Sequence, residues 1–140
     1  MSVATLSIRL LFREFTLDPA VITQTLGVQP TRQARMGDRV SPGIDGSPRR
    51  GVERASWWSV VAEFYDEDPD IDDRLTAFLA PLLGDAQFVR RLAGDSGAAN
   101  VDLEFPGQLH FGGVITPAVL RTVADLGLTL GIEIFPNSAT

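Results

Sequence analysis

The sequence predicts an α+β fold in a single domain, with elements in the order βαβ-αα-ββαβ. This is a ferredoxin-like variant with helices mainly on one face of the sheet. One observation is that segments with the two-residue alternation of strands are interspersed with segments of helical spacing. A second is length: 140 residues, 44% of them hydrophobic, can build one core but not two ordinary domains. Both βαβ units are expected to be right-handed crossovers on the same side of the sheet.

The first half of the chain is predicted to contain two strands, one helix and a long loop. Residues 3–12 alternate between apolar and polar side chains, which is typical of a half-buried strand. Asp18 is a suitable N-cap and Gly27 can end a helix in the left-handed conformation. The apolar face of that helix includes Val21. Residues 28–54 show no periodicity and are rich in Gly and Pro, which predicts the long loop. Residues 55–65 are rich in aromatic and β-branched residues, which predicts the second strand.

The second half is predicted to contain three helices and three strands. The helices are expected at 70–83, 85–94 and 116–128, and Pro81 is expected to bend or end the first of them. The strands are expected at 101–105, 109–114 and 128–135. The third helix repeats the Pro-Ala-Val and Leu-Gly pattern of the first. A duplication and the shared sequence preferences of helix ends both explain this repeat.

One face of the sheet is expected to remain polar. Its predicted members are Ser7, Arg9, Glu63, Asp102, Glu104, His110 and Glu133. A three-residue turn after Phe105 would place Glu104 opposite His110 as a structural pair. Because an uncovered sheet face or edge commonly dimerises, we expect a homodimer.

The composition excludes many kinds of chemistry. The chain has 12 Arg, no Lys, no Cys and one His against 18 acidic residues, which gives a net charge of -6. Thiolate metal sites, Cys nucleophiles and Schiff-base chemistry are therefore excluded, and we expect no catalytic residue, cofactor or metal. The acidic balance argues against nucleic acid and anionic membranes as partners. Neither a secretory signal nor a membrane-spanning stretch is visible, so a cytoplasmic location is expected.

The long loop reverses the charge of the chain locally. Residues 31–54 have a net charge of +3, which leaves -9 for the remainder. The candidate binding residues there are Arg32, Arg35, Asp38, Arg39, Arg49, Arg50 and Arg54. Guanidinium groups bind phosphate and carboxylate in bidentate fashion, so these residues can form a site for an anionic small molecule or an acidic protein partner. Alternatively, they neutralise the acidic surface of the protein itself around residues 63–73.

Two further candidates, Trp57 and Trp58, follow this loop. In a strand they point to opposite sides, so at most one lies in the core. The other is expected to lie beneath the loop, to line a ligand pocket, to stack on a guanidinium or to belong to a dimer interface.

Two other motifs have structural explanations. Asp66, Asp68, Asp70 and Asp72 alternate as in a calcium loop, but the sixth position lacks Gly and the twelfth lacks Glu, so helix capping is predicted. The sequence GDSGA at 94–98 resembles that around a serine-protease nucleophile, but it precedes the His and is predicted to be a turn.

The sequence resembles a family of mostly bacterial proteins catalogued as domain of unknown function forty-two seventy-nine. The resemblance rests on the opening strand, LDPAVITQTLGVQPTRQARMGD, WWSV and the final helix and strand, with Leu26-Gly27, Pro30-Thr31 and Gly37-Asp38 as its most specific part. It implies the same segment order and a single domain. It assigns no catalytic residue, substrate or cofactor.

These observations favour a non-catalytic binding or interaction module that uses the Arg-bearing loop and a Trp. Two alternatives remain. One is a small enzyme acting on an anionic substrate, with Arg clamps and a carboxylate base. The other is an immunity-like protein that neutralises a partner.

Overall fold

The computed structural model describes residues 3–40, 42, 46, 51–106 and 112–135. Its helices and strands confirm the α+β class. In chain order they are β1 (Leu6–Arg13), α1 (Pro19–Leu26), β2 (Arg32–Ala34), β3 (Trp57–Phe64), α2 (Ile71–Leu83), α3 (Ala86–Asp95), β4 (Ala98–Pro106), α4 (Pro117–Asp125) and β5 (Thr129–Phe135).

The strands form one sheet in the order β2-β3-β1-β4-β5. β1 is antiparallel to both of its neighbours, β3 and β4, whereas β4 and β5 are parallel. The ferredoxin-like order is not confirmed, because β1 and β3 are antiparallel neighbours and the first βαβ unit is not a parallel crossover. Thirty residues separate the end of α1 from the start of β3, which is enough for the chain to reverse its direction. The second unit, β4-α4-β5, has the expected parallel pair.

The alternation in β1 separates the two faces of the sheet. Leu6, Ile8, Leu10 and Phe12 are buried and join one hydrophobic cluster with buried side chains from all four helices. The helices therefore cover this face, as predicted. We call the opposite side of the sheet the open face.

The strand registers confirm the predicted polar face for the residues that the structure describes. Directly paired residues point to the same side of a sheet. The pairing Glu63–Ser7–Glu104–Glu133 crosses four strands, and Arg9 pairs with Asp102 in the next row of the same face. His110, and with it the predicted pairing with Glu104, lies outside the described residues.

Helix α1 has the predicted ends. The Asp18 carboxylate accepts a hydrogen bond from the Ala20 backbone N–H at 2.9 Å, and Gly27 has a φ of 67°. The expectation for Val21 was wrong, because its side chain is 39% exposed, whereas Ile22 and Leu26 are buried. With only eight residues, α1 presents a narrow face to the core.

The region predicted as one long loop contains regular structure. Arg32–Ala34 pairs with the first half of β3, and an isolated antiparallel bridge joins Arg39 to Val52. The loop prediction was therefore wrong at 32–34. A strand of three residues is too short to give a recognisable alternation in the sequence.

The structure also changes some boundaries in the second half. α3 ends at Asp95 and β4 begins at Ala98, so the turn between them is only two residues long. α2 continues for two residues beyond Pro81. Of the strand predicted at 109–114, residues 112–114 are not in a strand and the rest lies outside the described part. Among the residues described, no helix is long and apolar enough to cross a membrane.

Candidate functional site

Three strands bring basic and aromatic side chains together at one corner of the open face. Arg13 of β1 lies directly opposite Trp57 of β3, which in turn lies opposite Ala34 of β2. In the adjacent row, Arg32 of β2 lies opposite Ser59 of β3. Cross-strand neighbours have Cβ atoms about 4.5–5.5 Å apart, so these side chains share one small surface.

That surface is concave, with a volume of about 240 Å³. We call it the basic concavity. Its lining residues are Arg9, Leu11, Arg13, Arg32, Trp57 and Ser59. The lining thus combines three guanidinium groups with two apolar side chains and one hydroxyl.

Arg9 is already engaged by carboxylates of the protein. Its Nη2 lies 3.1 Å from Asp102 Oδ2 and 3.4 Å from Glu104 Oε1. Asp102 is buried, so this ion pair keeps its charge compensated. Arg9 Nε is also buried, and the described residues provide no acceptor for it. The charge of Arg9 is therefore balanced mainly by carboxylates of the sheet itself.

Arg13 and Arg32 differ from Arg9. Both are exposed, and no carboxylate of the described residues forms an ion pair with either. Their guanidinium groups remain available for a ligand. Each can donate two parallel hydrogen bonds to a phosphate or carboxylate group.

The two Trp side chains lie on opposite faces of β3, as predicted. Trp58 is 0% exposed, packs against Phe12 and donates a hydrogen bond from Nε1 to Thr23 Oγ1 at 3.0 Å. Trp57 is half-buried and lines the basic concavity. Trp58 is therefore a core residue, and Trp57 is the one available to a ligand.

At the other end of the open face, Glu63, Glu104 and Glu133 form what we call the acidic row. Burial raises the pKa of Glu104, and nearby Glu133 and Asp102 raise it further, while Arg9 opposes them. At about 3.3 Å per residue, Leu11 and Arg13 lie four and six residues along β1 from the row at Ser7, or about 13–20 Å, while Arg9 lies between them and that row and pairs with Glu104. The open face is therefore acidic at one end and basic at the other.

Of the four predicted Arg residues that the structure describes, three lie away from the basic concavity. Arg35 pairs with Asp18 at 3.4 Å, and Arg39 lies at the bridge to Val52. Arg54 is exposed but does not line the basic concavity. Of the predicted Arg residues that the structure describes, Arg32 alone does so, and it is joined there by Trp57.

Of the three other predicted residues, the structure describes only Asp38, which does not line the basic concavity. The Asp38 carboxylate accepts a hydrogen bond from the Arg35 backbone N–H at 3.0 Å, so it stabilises a turn. Arg49 and Arg50 lie outside the described residues.

Sequence reasoning missed the contribution of β1 to the concavity. Arg9 was placed on the polar face but not in a site, and Arg13 follows the predicted end of the first strand by one residue. The sequence did contain one signal for this contribution: the odd-numbered positions of β1 share one face of the strand. Their proximity to Trp57 depends on the pairing of β1 with β3, which no local pattern reveals.

The acidic segment before α2 forms a larger concavity of about 730 Å³ against residues 112–116. Two of its carboxylates have structural roles. Asp70 caps α2 by accepting from the Asp73 N–H at 3.0 Å, and Asp72 accepts from the Thr116 N–H at 2.7 Å. The capping prediction is confirmed for Asp70. Among the described residues, no group of three or more His, Cys, Asp or Glu is arranged to hold a metal ion.

Comparison with known proteins identifies a family but no characterised relative. No curated protein and no solved structure matches the chain significantly. The family model described as Domain of unknown function (DUF4279) matches residues 4–136, which include every strand and helix that the structure describes. The chain belongs to the DUF4279 family.

Proposed function

We propose that this chain is a non-catalytic binding module that recognises an anionic ligand at the basic concavity. One observation carries the proposal: Arg13 and Arg32 lie with Trp57 in one concavity and have no ion-pair partner among the described residues. Two unpaired guanidinium groups on adjacent rows of a rigid sheet are a suitable arrangement for one phosphate or carboxylate group.

The charge pattern favours a small anion over an extended acidic partner. A large acidic protein that covered the open face would meet the acidic row as well as the basic concavity. Like charges brought together in an interface oppose binding. A small anion held by Arg13 and Arg32 would lie level with positions 11–13 of β1, about 13–20 Å along the strand from the row at Ser7 and beyond the Debye length of about 8 Å at physiological ionic strength.

A second copy of the chain is a large partner whose charges can fit this face. Its open face also carries both signs, so a two-fold axis between two facing sheets can place each basic concavity over the acidic row of the partner. We therefore keep the expectation of a homodimer. Since the dimer would cover the concavity, a small anion and the second copy should compete for it.

The lining supports binding rather than catalysis. An enzyme acting on an anionic substrate would need a base beside the Arg clamps. Among the lining residues that the structure describes there is neither a carboxylate nor a His. The nearby Asp102 and Glu104 are engaged by Arg9.

A thermal-shift screen of phosphorylated and carboxylated small molecules tests the proposal. A ligand that binds only the folded state stabilises it, by about 2.7 kcal/mol at one hundred times its Kd. We expect a rise in melting temperature that is greatly reduced in Arg13→Gln and Arg32→Gln. Because phosphate also stabilises proteins non-specifically, Arg91→Gln on α3 is the matched control, with the same charge change away from the open face.

Two results would contradict the proposal. One is a screen in which no phosphate or carboxylate raises the melting temperature above the increase caused by salt alone. The other is an equal rise in the Arg13→Gln, Arg32→Gln and Arg91→Gln variants, which would place the effect elsewhere.

A further inference from the structure

The basic concavity has an apolar part as well as a cationic part. Leu11 and Trp57 are both half-buried and line it together with Arg13 and Arg32. An inorganic anion would satisfy the guanidinium groups and leave the indole and the Leu side chain in contact with water. Removing such apolar surface from water is favourable, so a ligand that covers both parts binds better than an ion alone.

The indole of Trp57 has no ring or cation partner within the described part of the chain. The cation–π contact found there is Arg74 over Phe64, at 4.8 Å, and the aromatic pair is Phe12 with Trp58. The stacking of Trp57 on a guanidinium, one of the roles considered from the sequence, is therefore not observed among these residues. Its face remains available to a planar group.

The size of the concavity limits the ligand. About 240 Å³ is below the range of about 300–1,000 Å³ for sites that hold drug-sized ligands, so a single ring with one anionic group is the largest suitable unit. Longer polyanions are also disfavoured, because they would extend towards the acidic row. Arg13 is the direct cross-strand neighbour of Trp57, so the ring and the charge can belong to one small molecule.

We propose that the basic concavity binds a planar aromatic ring that carries a phosphate or carboxylate group, with the ring on Trp57 and the anion on Arg13 and Arg32. This inference rests on the proposed function and narrows the ligand class. An aromatic phosphate and an aromatic carboxylate share the required chemistry.

The test compares small probes that differ in one feature. Phenyl phosphate and benzoate carry both the ring and the charge, methyl phosphate and acetate lack the ring, and benzyl alcohol lacks the charge. Affinities are measured by calorimetry and by Trp fluorescence, in which fully buried Trp58 supplies a background. We expect phenyl phosphate or benzoate to bind at least about tenfold more tightly than its ring-free counterpart, since base–aromatic stacking contributes on this scale. Whichever of phenyl phosphate and benzoate binds more tightly identifies the anionic group that the site prefers.

Two variants assign the contributions of the ring and of the anionic group to particular residues. Trp57→Leu should abolish most of the preference for ring-bearing probes while leaving the affinity for methyl phosphate and acetate nearly unchanged. Arg13→Gln should weaken every anionic probe. The comparison of probes on the wild-type protein stands by itself if a variant fails to fold.

The outcomes separate the two proposals. Equal affinity for ring-bearing and ring-free anions would overturn this inference and leave the proposed function intact. Binding of benzyl alcohol as tight as that of phenyl phosphate and benzoate, or no binding of any anion, would overturn both. A preference for ring-bearing anions that persists in Trp57→Leu would overturn the assignment of the ring to Trp57.

Discussion

The carboxylate of Asp102 on β4 lies between Gly131, its direct neighbour on β5, and Arg9, its direct neighbour on β1, whose Nη2 is 3.1 Å from Asp102 Oδ2. A Cβ atom added at Gly131 would overlap Asp102 Oδ1 and lie 3.2 Å from Cγ. Gly131 therefore leaves room for the partly buried ion pair of Arg9 and Asp102 on the open face. Because Gly131 has no side chain, Asp102 and Arg9 can stay close enough to balance each other's charge.

Gly131→Ala should destabilise the protein by about 1–3 kcal/mol, because Asp102 must move away from Arg9 or β5 must shift. Gly84→Ala is the control, since Gly84 has an ordinary helical conformation and nothing within 4 Å of an added Cβ. Urea unfolding measures both. Equal stabilities of the two variants would contradict this role of Gly131.

The Thr23 hydroxyl should matter because it accepts the hydrogen bond of the fully buried Trp58 indole. Thr23→Val keeps the shape but leaves the indole N–H without its partner, which should cost about 1–3 kcal/mol. Thr25→Val makes the same chemical change on the same helix and should lie within about 0.5 kcal/mol of the wild type. Chemical unfolding distinguishes them, and similar losses in both variants would argue against the hydrogen bond as the cause.

Glu104 should make stability depend on pH. Burial raises its pKa in the folded state above the unfolded value, so the folded state binds the proton more tightly. The associated stability is present below the unfolded pKa and is lost as pH rises through the folded pKa. Glu104→Gln should therefore gain in melting temperature relative to the wild type between pH 4 and pH 7.

Glu67→Gln, which removes an exposed carboxylate before α2, is the reference variant for this comparison. A Glu104→Gln variant that loses stability relative to the wild type as pH rises over the same interval would show that the opposing attraction of Arg9 dominates.

If the acidic row of one copy pairs with the basic concavity of another, self-association should depend on the salt concentration. Sedimentation equilibrium at low ionic strength should give a mass above the 15.1 kDa of the chain. The mass should fall towards that value in about 1 M salt, where the Debye length is about 3 Å. A ligand of the basic concavity should lower it as well. A mass of 15.1 kDa at high micromolar concentration and low salt would exclude the dimer.

Local signals in the sequence predicted local structure well. Asp18 and Gly27 mark the ends of α1, and the alternation in β1 correctly assigned Leu6 to the core and Arg9 to the other face. Each of these features depends on residues within a few positions of one another. Capping and strand alternation are therefore readable without knowledge of the rest of the fold.

The arrangement of the site could not be predicted in this way. That Arg13 faces Trp57, 44 positions later in the chain, depends on the antiparallel pairing of β1 with β3, whereas a parallel crossover was expected. The loop Arg residues looked similar in sequence, yet Arg35 pairs with Asp18 while Arg32 enters the sheet. Strand pairing is a long-range property, so the sequence revealed the residue types but not the partners from β1.

The most direct test of anion recognition is an NMR titration with inorganic phosphate, observing the Arg Nε–H and Trp indole N–H signals. The account predicts saturable shifts for Arg13 and Arg32, a smaller shift at the neighbouring Trp57 indole, and little change at Arg91 and Trp58. Shifts of equal size at all exposed Arg residues, or shifts centred on the loop at Arg39 and Arg54 without Arg13, would contradict the assignment of the site to the basic concavity.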